Sequence, residues 1–271
     1  MEETPISGSA HLIDGSPPER IEPGKRLVVL ARTMQVQEPG PAVASKFGAG
    51  DWSSFGTTCL GQAVYRHRSV FRNASEDPLW SHLELTYFRD VIPHDVVRDL
   101  VSTGSAADVR LLRAEILLPT PSAFIMPPGW KGSADVGGRK ASLEYIDVRP
   151  QHLRDYRDVM RRYIGPAAAR LVAMERIGTF RAMETVAVLY RDPALTIDWN
   201  QIHLCEVDAE DFRGFGSEFD TALREISPDG RFKDVFAGLD RMRTIPRWTF
   251  NDLQVEADTA VGEFIQEQLL D

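Results

Sequence analysis

The constraint that weighs most on this chain is an internal repeat. Ser69-Val70-Phe71-Arg72-Asn73, followed by Trp80-Ser81-His82-Leu83-Glu84-Leu85, recurs 119 positions later as Val188-Leu189-Tyr190-Arg191-Asp192, followed by Trp199-Asn200-Gln201-Ile202-His203-Leu204. Both copies hold an Arg and a Trp eight residues apart, with Asp77-Pro78 or Asp192-Pro193 as a turn signal between them. Two strand-like runs around a proline turn read as a strand pair, and its recurrence at fixed spacing predicts a fold built from two like units.

Around these anchors the rest of the chain falls into order. Residues 1–23 hold four prolines and little periodicity, and read as an arm. The first unit spans residues 24–118. It takes Arg26–Thr33, Gln62–Asn73, Trp80–Arg89 and Val109–Leu118 as strands, a long loop at 37–61 and a brief helix over His94–Ser102. Residues 119–140, with four glycines and four prolines, read as a linker. The second unit spans 141–258. Ala141–Val148 is its first strand, and Leu153, Tyr156, Met160, Tyr163 and Ile164 follow at helical spacing up to an interruption at Gly165-Pro166. Thr179–Arg191, Trp199–Asp208 and Arg247–Val255 are strands, Phe212–Ile226 is a helix, and residues 259–271 carry a tail helix. Each unit thus reads β-α-β-β-α-β, so the expected class is α+β, with tandem ferredoxin-like repeats forming an α/β-barrel.

Composition limits the functional classes. A net charge of −9 disfavours nucleic acid and anionic membrane as partners. No apolar run approaches the roughly 20 residues of a membrane helix. Two cysteines and an acidic amino terminus fit a reducing cytoplasm. Neither a nucleotide-binding glycine motif nor metal-ligand spacing is present, so neither a metal nor a cofactor is expected.

The residues Leu143-Glu144-Tyr145-Ile146-Asp147-Val148-Arg149-Pro150, then Tyr156 through Pro166, then Arg176-Ile177-Gly178-Thr179-Phe180 resemble the dimeric α/β-barrel superfamily. Within it they are closest to NIPSNAP-like and antibiotic-biosynthesis-monooxygenase-like modules. The resemblance implies two four-stranded sheets closing face to face around small apolar or aromatic molecules, sometimes with haem and often with no cofactor.

Strand alternation sorts side chains into two faces. Leu83, Leu85, Tyr87, Ile202 and Leu204 are expected against the helices. Trp80, His82, Glu84, Phe88, Trp199, His203 and Cys205 are expected to line a chamber inside the barrel. There, His203 and Glu84 would form a general base and its partner, with His82 able to share either role. Tyr145, Arg181 or Asn200 would polarise a substrate oxygen, and Trp80, Trp199 and Trp248 would stack on the ligand. The plainer reading is that these polar groups only satisfy one another and the aromatics only fill the core. The expected function is a cofactor-independent lyase, isomerase or cyclase that removes a proton from a small aromatic substrate. A cofactor-free monooxygenase, a carrier of apolar ligands or haem, and a structural module with an occluded core are the alternatives. A homodimer is the expected assembly.

Overall fold

The computed structural model describes residues 26–36, 58–72, 80–90, 92, 97, 109–127, 140–207, 215–227, 230–257 and 260–269. Eight strands form a closed antiparallel barrel: β1 (Leu27–Val36), β2 (Cys59–Arg72), β3 (His82–Arg89), β4 (Val109–Ile125), β5 (Lys140–Val148), β6 (Thr179–Arg191), β7 (Gln201–Val207) and β8 (Arg243–Ala257). The order around the barrel is β1-β3-β2-β8-β5-β7-β6-β4. Each half therefore has its fourth strand beside its first, and its third between its first and second, which is the ferredoxin-like order.

Between β5 and β6 the chain forms a 3-10 turn (Pro150–His152), α1 (Leu153–Val159), a π-helical turn (Met160–Ile164) and α2 (Gly165–Ala173). Pro150 opens this run, where its missing N–H costs nothing. Gly165-Pro166 does not break it, because the π turn just before absorbs the proline within a continuous helical path. Helices α3 (Phe215–Ile226) and α4 (Phe232–Met242) precede β8, and α5 (Ala260–Leu269) follows it. No described helix is long and apolar enough to cross a membrane.

Several expected boundaries shift. β1 extends to Val36, and β2 begins at Cys59 rather than Gln62. β4 continues seven residues into the segment expected as linker, because a bulge between Pro119 and Phe124 lets it keep pairing with β6. Prolines are tolerated at such a bulge, where no ladder N–H is needed. Helix α4 falls where no element was expected, although Phe232, Val235, Phe236 and Leu239 have helical spacing. The arm, the turn at 74–79 and most of the helix expected at His94–Ser102 lie outside the described residues.

All eight strands send side chains into one buried cluster, including Val29, Ala63, Leu83, Leu117, Leu143, Met183, Ile202 and Leu253. Only the inside of a closed barrel can bring eight strands together, so this cluster is the interior. Leu83, Leu85, Tyr87, Ile202 and Leu204 belong to it, whereas Cys205 and Val207 belong to a second cluster shared with α1–α4. The expected faces are therefore reversed: the aliphatic face points inward, and His82, Glu84, Phe88, His203 and Cys205 point outward. The physical reason is that both faces of these strands are buried, so neither carries the polar signature of a wet side. An eight-stranded interior is just wide enough for side chains to fill. Here they fill it.

Candidate functional site

Inside the barrel two carboxylates gather most of the polar groups around them. Arg181 donates to Tyr87 Oη and Glu206 Oε1 (both 2.6 Å), and Tyr65 donates to the same carboxylate at 2.7 Å. The anionic partner that a guanidinium in an apolar strand requires is thus Glu206. Glu115 accepts from Arg113 (2.8 Å), Thr185 (2.7 Å) and the Trp199 indole (2.8 Å). Tyr145 packs edge to face with Trp80 and Trp199 in the interior, and the two indoles are tilted against each other, at centroid distances of 4.6–5.5 Å. Burial pushes the Tyr145 hydroxyl up, so it stays protonated. Asn200 is spent on the backbone, accepting from Val148 N–H at 2.9 Å and donating to Val148 C=O at 2.7 Å.

The expected pairing of Glu84 with His203 does not occur. Their strands, β3 and β7, lie four positions apart whichever way the barrel is traversed, and both side chains point outward. Glu84 is fully buried against Arg32, with contacts of 2.6 and 2.7 Å. Phe88 packs with Val28, Leu30 and Ile92. His82 bonds Ser81 Oγ at 2.8 Å, and burial, with a contribution from Arg66, lowers its pKa to about 4.

That shift has a testable sign. A histidine held neutral in the fold but free to protonate when unfolded stabilises the protein fully above about pH 6.5. The contribution is lost as pH falls toward the folded value, here about 4. Melting temperature should therefore decline between these limits, at up to about 1.4 kcal/mol per pH unit for His82 alone. Thermal denaturation of His82→Gln across this range should give a shallower decline; an unchanged slope would remove His82 from the account.

A cavity does exist, outside the barrel, between the outer face of β5–β8 and the helices. It is lined by Ser142, Glu144, Phe180, His203, Cys205, Arg243 and Trp248 from the sheet, Met160 and Ile164 from the π turn, and Phe215, Phe219, Phe232, Phe236 and Leu239 from α3 and α4. The cavity is partly open and has a volume of about 100 Å³. That is the order of an engineered cavity of roughly 150 Å³ that takes up benzene, so the scale is one aromatic ring. The helix-borne phenylalanines form a continuous wall, Phe232 stacked on Phe236 at 4.1 Å with Phe219 edge-on to both. Haem, which the resemblance admits, does not fit: a macrocycle of four pyrroles exceeds this volume several-fold. Among the described residues no three His, Cys, Asp or Glu side chains gather as a metal site requires.

The polar groups of the cavity are few and converge. His203 Nε2 lies 3.4 Å from Tyr156 Oη and 3.3 Å from Gln201 Oε1. Burial, reinforced by Arg243, holds the imidazole well below its usual pKa, so it is neutral at pH 7. Tyr156, pushed up to about 12 by burial, is neutral too, and accepts from Arg243 Nη1 at 3.1 Å. Its own proton remains available to donate. Burial and two neighbouring carboxylates raise the Cys205 thiol, which leaves it unreactive. Trp248 donates its indole N–H to Ser142 Oγ at 2.6 Å.

Of the expected site residues, His203, Cys205 and Trp248 share this cavity. Trp80, Trp199, Tyr145 and Arg181 are interior core, Asn200 is a backbone tether, and Glu84, His82 and Phe88 lie on the other half of the barrel. Sequence reasoning missed Tyr156 and Arg243. Tyr156 showed only as one member of a helical stripe, and Arg243 lay ahead of the expected start of β8.

No family model matches this sequence, and no curated protein matches it. Solved structures do resemble the fold. A candidate monooxygenase from Fusobacterium nucleatum superposes with a TM-score of 0.52 at 10% identity, covering 86% of this chain and 95% of its own. An anthrone oxidase-like protein gives 0.49 at 10% identity over 86% and 92%, respectively. A chlorite dismutase from Candidatus Nitrospira defluvii gives 0.46 at 11% over 92% and 96%. At such identities the likeness concerns fold alone: this chain is an α+β barrel of ferredoxin-like type.

Proposed function

We propose that the protein is a cofactor-independent monooxygenase acting on a small, electron-rich aromatic molecule bound between sheet and helices. The observation that carries this reading is a neutral His203, with Tyr156 behind it at 3.4 Å, in a cavity whose lining includes six further aromatic side chains. Such a pocket binds an aromatic ring and offers few, oriented polar contacts. His203 takes a proton from the ligand, and Tyr156, from behind, holds the imidazole in place through its hydroxyl. The ligand anion then supplies its own electrons to dioxygen: the ring C–H para to the phenolate becomes C=O, the phenol leaves as a quinone, and the second oxygen atom leaves as water. The π turn contributes Met160 and Ile164, and such turns recur at functional sites. The description of the Fusobacterium protein as a candidate monooxygenase agrees with this chemistry.

Oxygen uptake with a panel of single-ring phenols tests the proposal. Uptake should match substrate loss, and His203→Gln should lower kcat by about 100-fold or more. Activity should hold as pH falls through the ordinary histidine pKa and drop only well below it, because burial and Arg243 keep His203 neutral there and it fails as base only once protonated. Turnover without oxygen uptake would instead indicate the lyase or isomerase chemistry that opens with the same proton loss. Turnover unchanged in His203→Gln would refute the site.

Ancestry and assembly belong to the same reading. The shared strand order and the matching placement of Trp80 and Trp199 support two copies of one NIPSNAP-like unit. A homodimer is supported by exposed Val186, Val188, Leu189 and Tyr190, where β6 pairs with β4 but has left β7. Light scattering that returned the mass of one chain would exclude it.

A further inference from the structure

Arg243 sets a condition on what the cavity accepts. The residue is 5% exposed, and its guanidinium is charged at every accessible pH. Nη1 alone is engaged, donating to Tyr156 Oη at 3.1 Å with Glu144 Oε2 at 3.7 Å. Among the described residues neither Nε nor Nη2 has a hydrogen-bond partner, and Nε is fully buried. Glu144 is a poor counterion: its distance exceeds that of a charge-assisted hydrogen bond, and burial favours its protonated form. A buried cation so weakly compensated is costly. With Nε closed off, Nη2 is the donor left to meet a ligand in the cavity, through a single charge-assisted hydrogen bond.

We infer that the ligand of this cavity is an aromatic carboxylate, its ring against the phenylalanine wall and its carboxylate on Nη2 of Arg243. This inference rests on the reading of the cavity as a ligand site and adds the chemical class. Arg243 is then a specificity-determining residue: a neutral aromatic of equal size leaves Nη2 without a charged partner, and an acid supplies one. The carboxylate takes Nη2 while Tyr156 keeps Nη1. The acid group is thereby anchored within reach of the groups that flank His203.

Isothermal titration of the full chain with benzoate, benzamide and toluene tests the inference. Benzoate should bind at least about 10-fold more tightly than benzamide, the factor expected of a charge-assisted pair. Arg243→Met should bring the two to parity while leaving toluene affinity within about 2-fold. Arg243→Lys, which keeps the charge but not a nitrogen at the position of Nη2, should retain only part of the preference. Equal affinities in the unaltered protein, or a preference that survives in Arg243→Met, would overturn the assignment. Should Arg243→Met not fold, as near-ultraviolet circular dichroism would reveal, the benzoate-to-benzamide ratio of Arg243→Lys decides, and an undiminished ratio overturns it. Toluene binding without benzoate binding sinks this inference alone. Failure of all three ligands to bind sinks the cavity reading with it.

Discussion

Glu115→Ala lowers the unfolding free energy by about 3–5 kcal/mol, the cost of breaking a buried ion pair from one side. Glu115 is fully buried, and its two oxygens receive Arg113, Thr185 and the Trp199 indole. Truncation leaves the Arg113 guanidinium with Asp198, which is half exposed, and the Trp199 carbonyl as its remaining acceptors. It also strands the indole N–H in the core. The effect should be global, because Glu115 lies on β4 and ties the β4–β6 seam that closes the barrel to the entry of β7. Urea denaturation measures it. Glu115→Gln keeps an acceptor and should lose less, while Arg113→Met combined with Glu115→Leu should lose least, since neither charge is then abandoned. A Glu115→Ala loss below about 1 kcal/mol would mean that the pair is solvated in a way its burial denies.

The same interior explains what the sequence could and could not disclose. Alternation assigned Leu83, Leu85 and Tyr87 to one face and His82, Glu84 and Phe88 to the other, and these sets do separate. Alternation carries no sign, however. In a sheet wet on one side, the polar set names the outside. Here helices cover the outer face of β5–β8, side chains fill the inside, and both sets are buried. Which buried face of the His203 strand meets a void is therefore set by the helices packed on it, not by the alternation. His203 reaches a cavity through the outer face, and Glu84, on the far half of the barrel, is removed from it. Arg243 was invisible for another reason: its importance lies in a donor left without a partner, and no spacing rule reports a missing partner. The interior arginines were legible only as a demand. An arginine in an apolar strand needs an anion, but only the register of β6 on β7 identifies it as Glu206.

Gly165→Ala should destabilise the protein by about 3 kcal/mol or more, although helix propensity alone predicts a gain of roughly 1 kcal/mol. The glycine has ordinary helical angles (φ −59°, ψ −54°), so it is not kept for conformational freedom. It is kept for space. A Cβ at this position would lie 1.9 Å from the Ser122 carbonyl oxygen and 2.8 Å from its carbon, both backbone atoms. Retreat on the strand side is blocked, because Ser122 sits in the β4 bulge at a positive φ of 61°, directly after Pro121. Retreat on the helix side would have to pass through the π turn, whose Met160 and Ile164 line the cavity. Two losses should therefore appear together: a lower urea midpoint and weaker binding of any ligand that the cavity takes. Ala169→Gly, at an exposed position of the same helix, is the control; it should cost about 1 kcal/mol and leave binding unchanged. If Gly165→Ala were as stable as the parent, the contact between α2 and the β4 bulge would be loose. The π turn would then need a cause other than accommodating it.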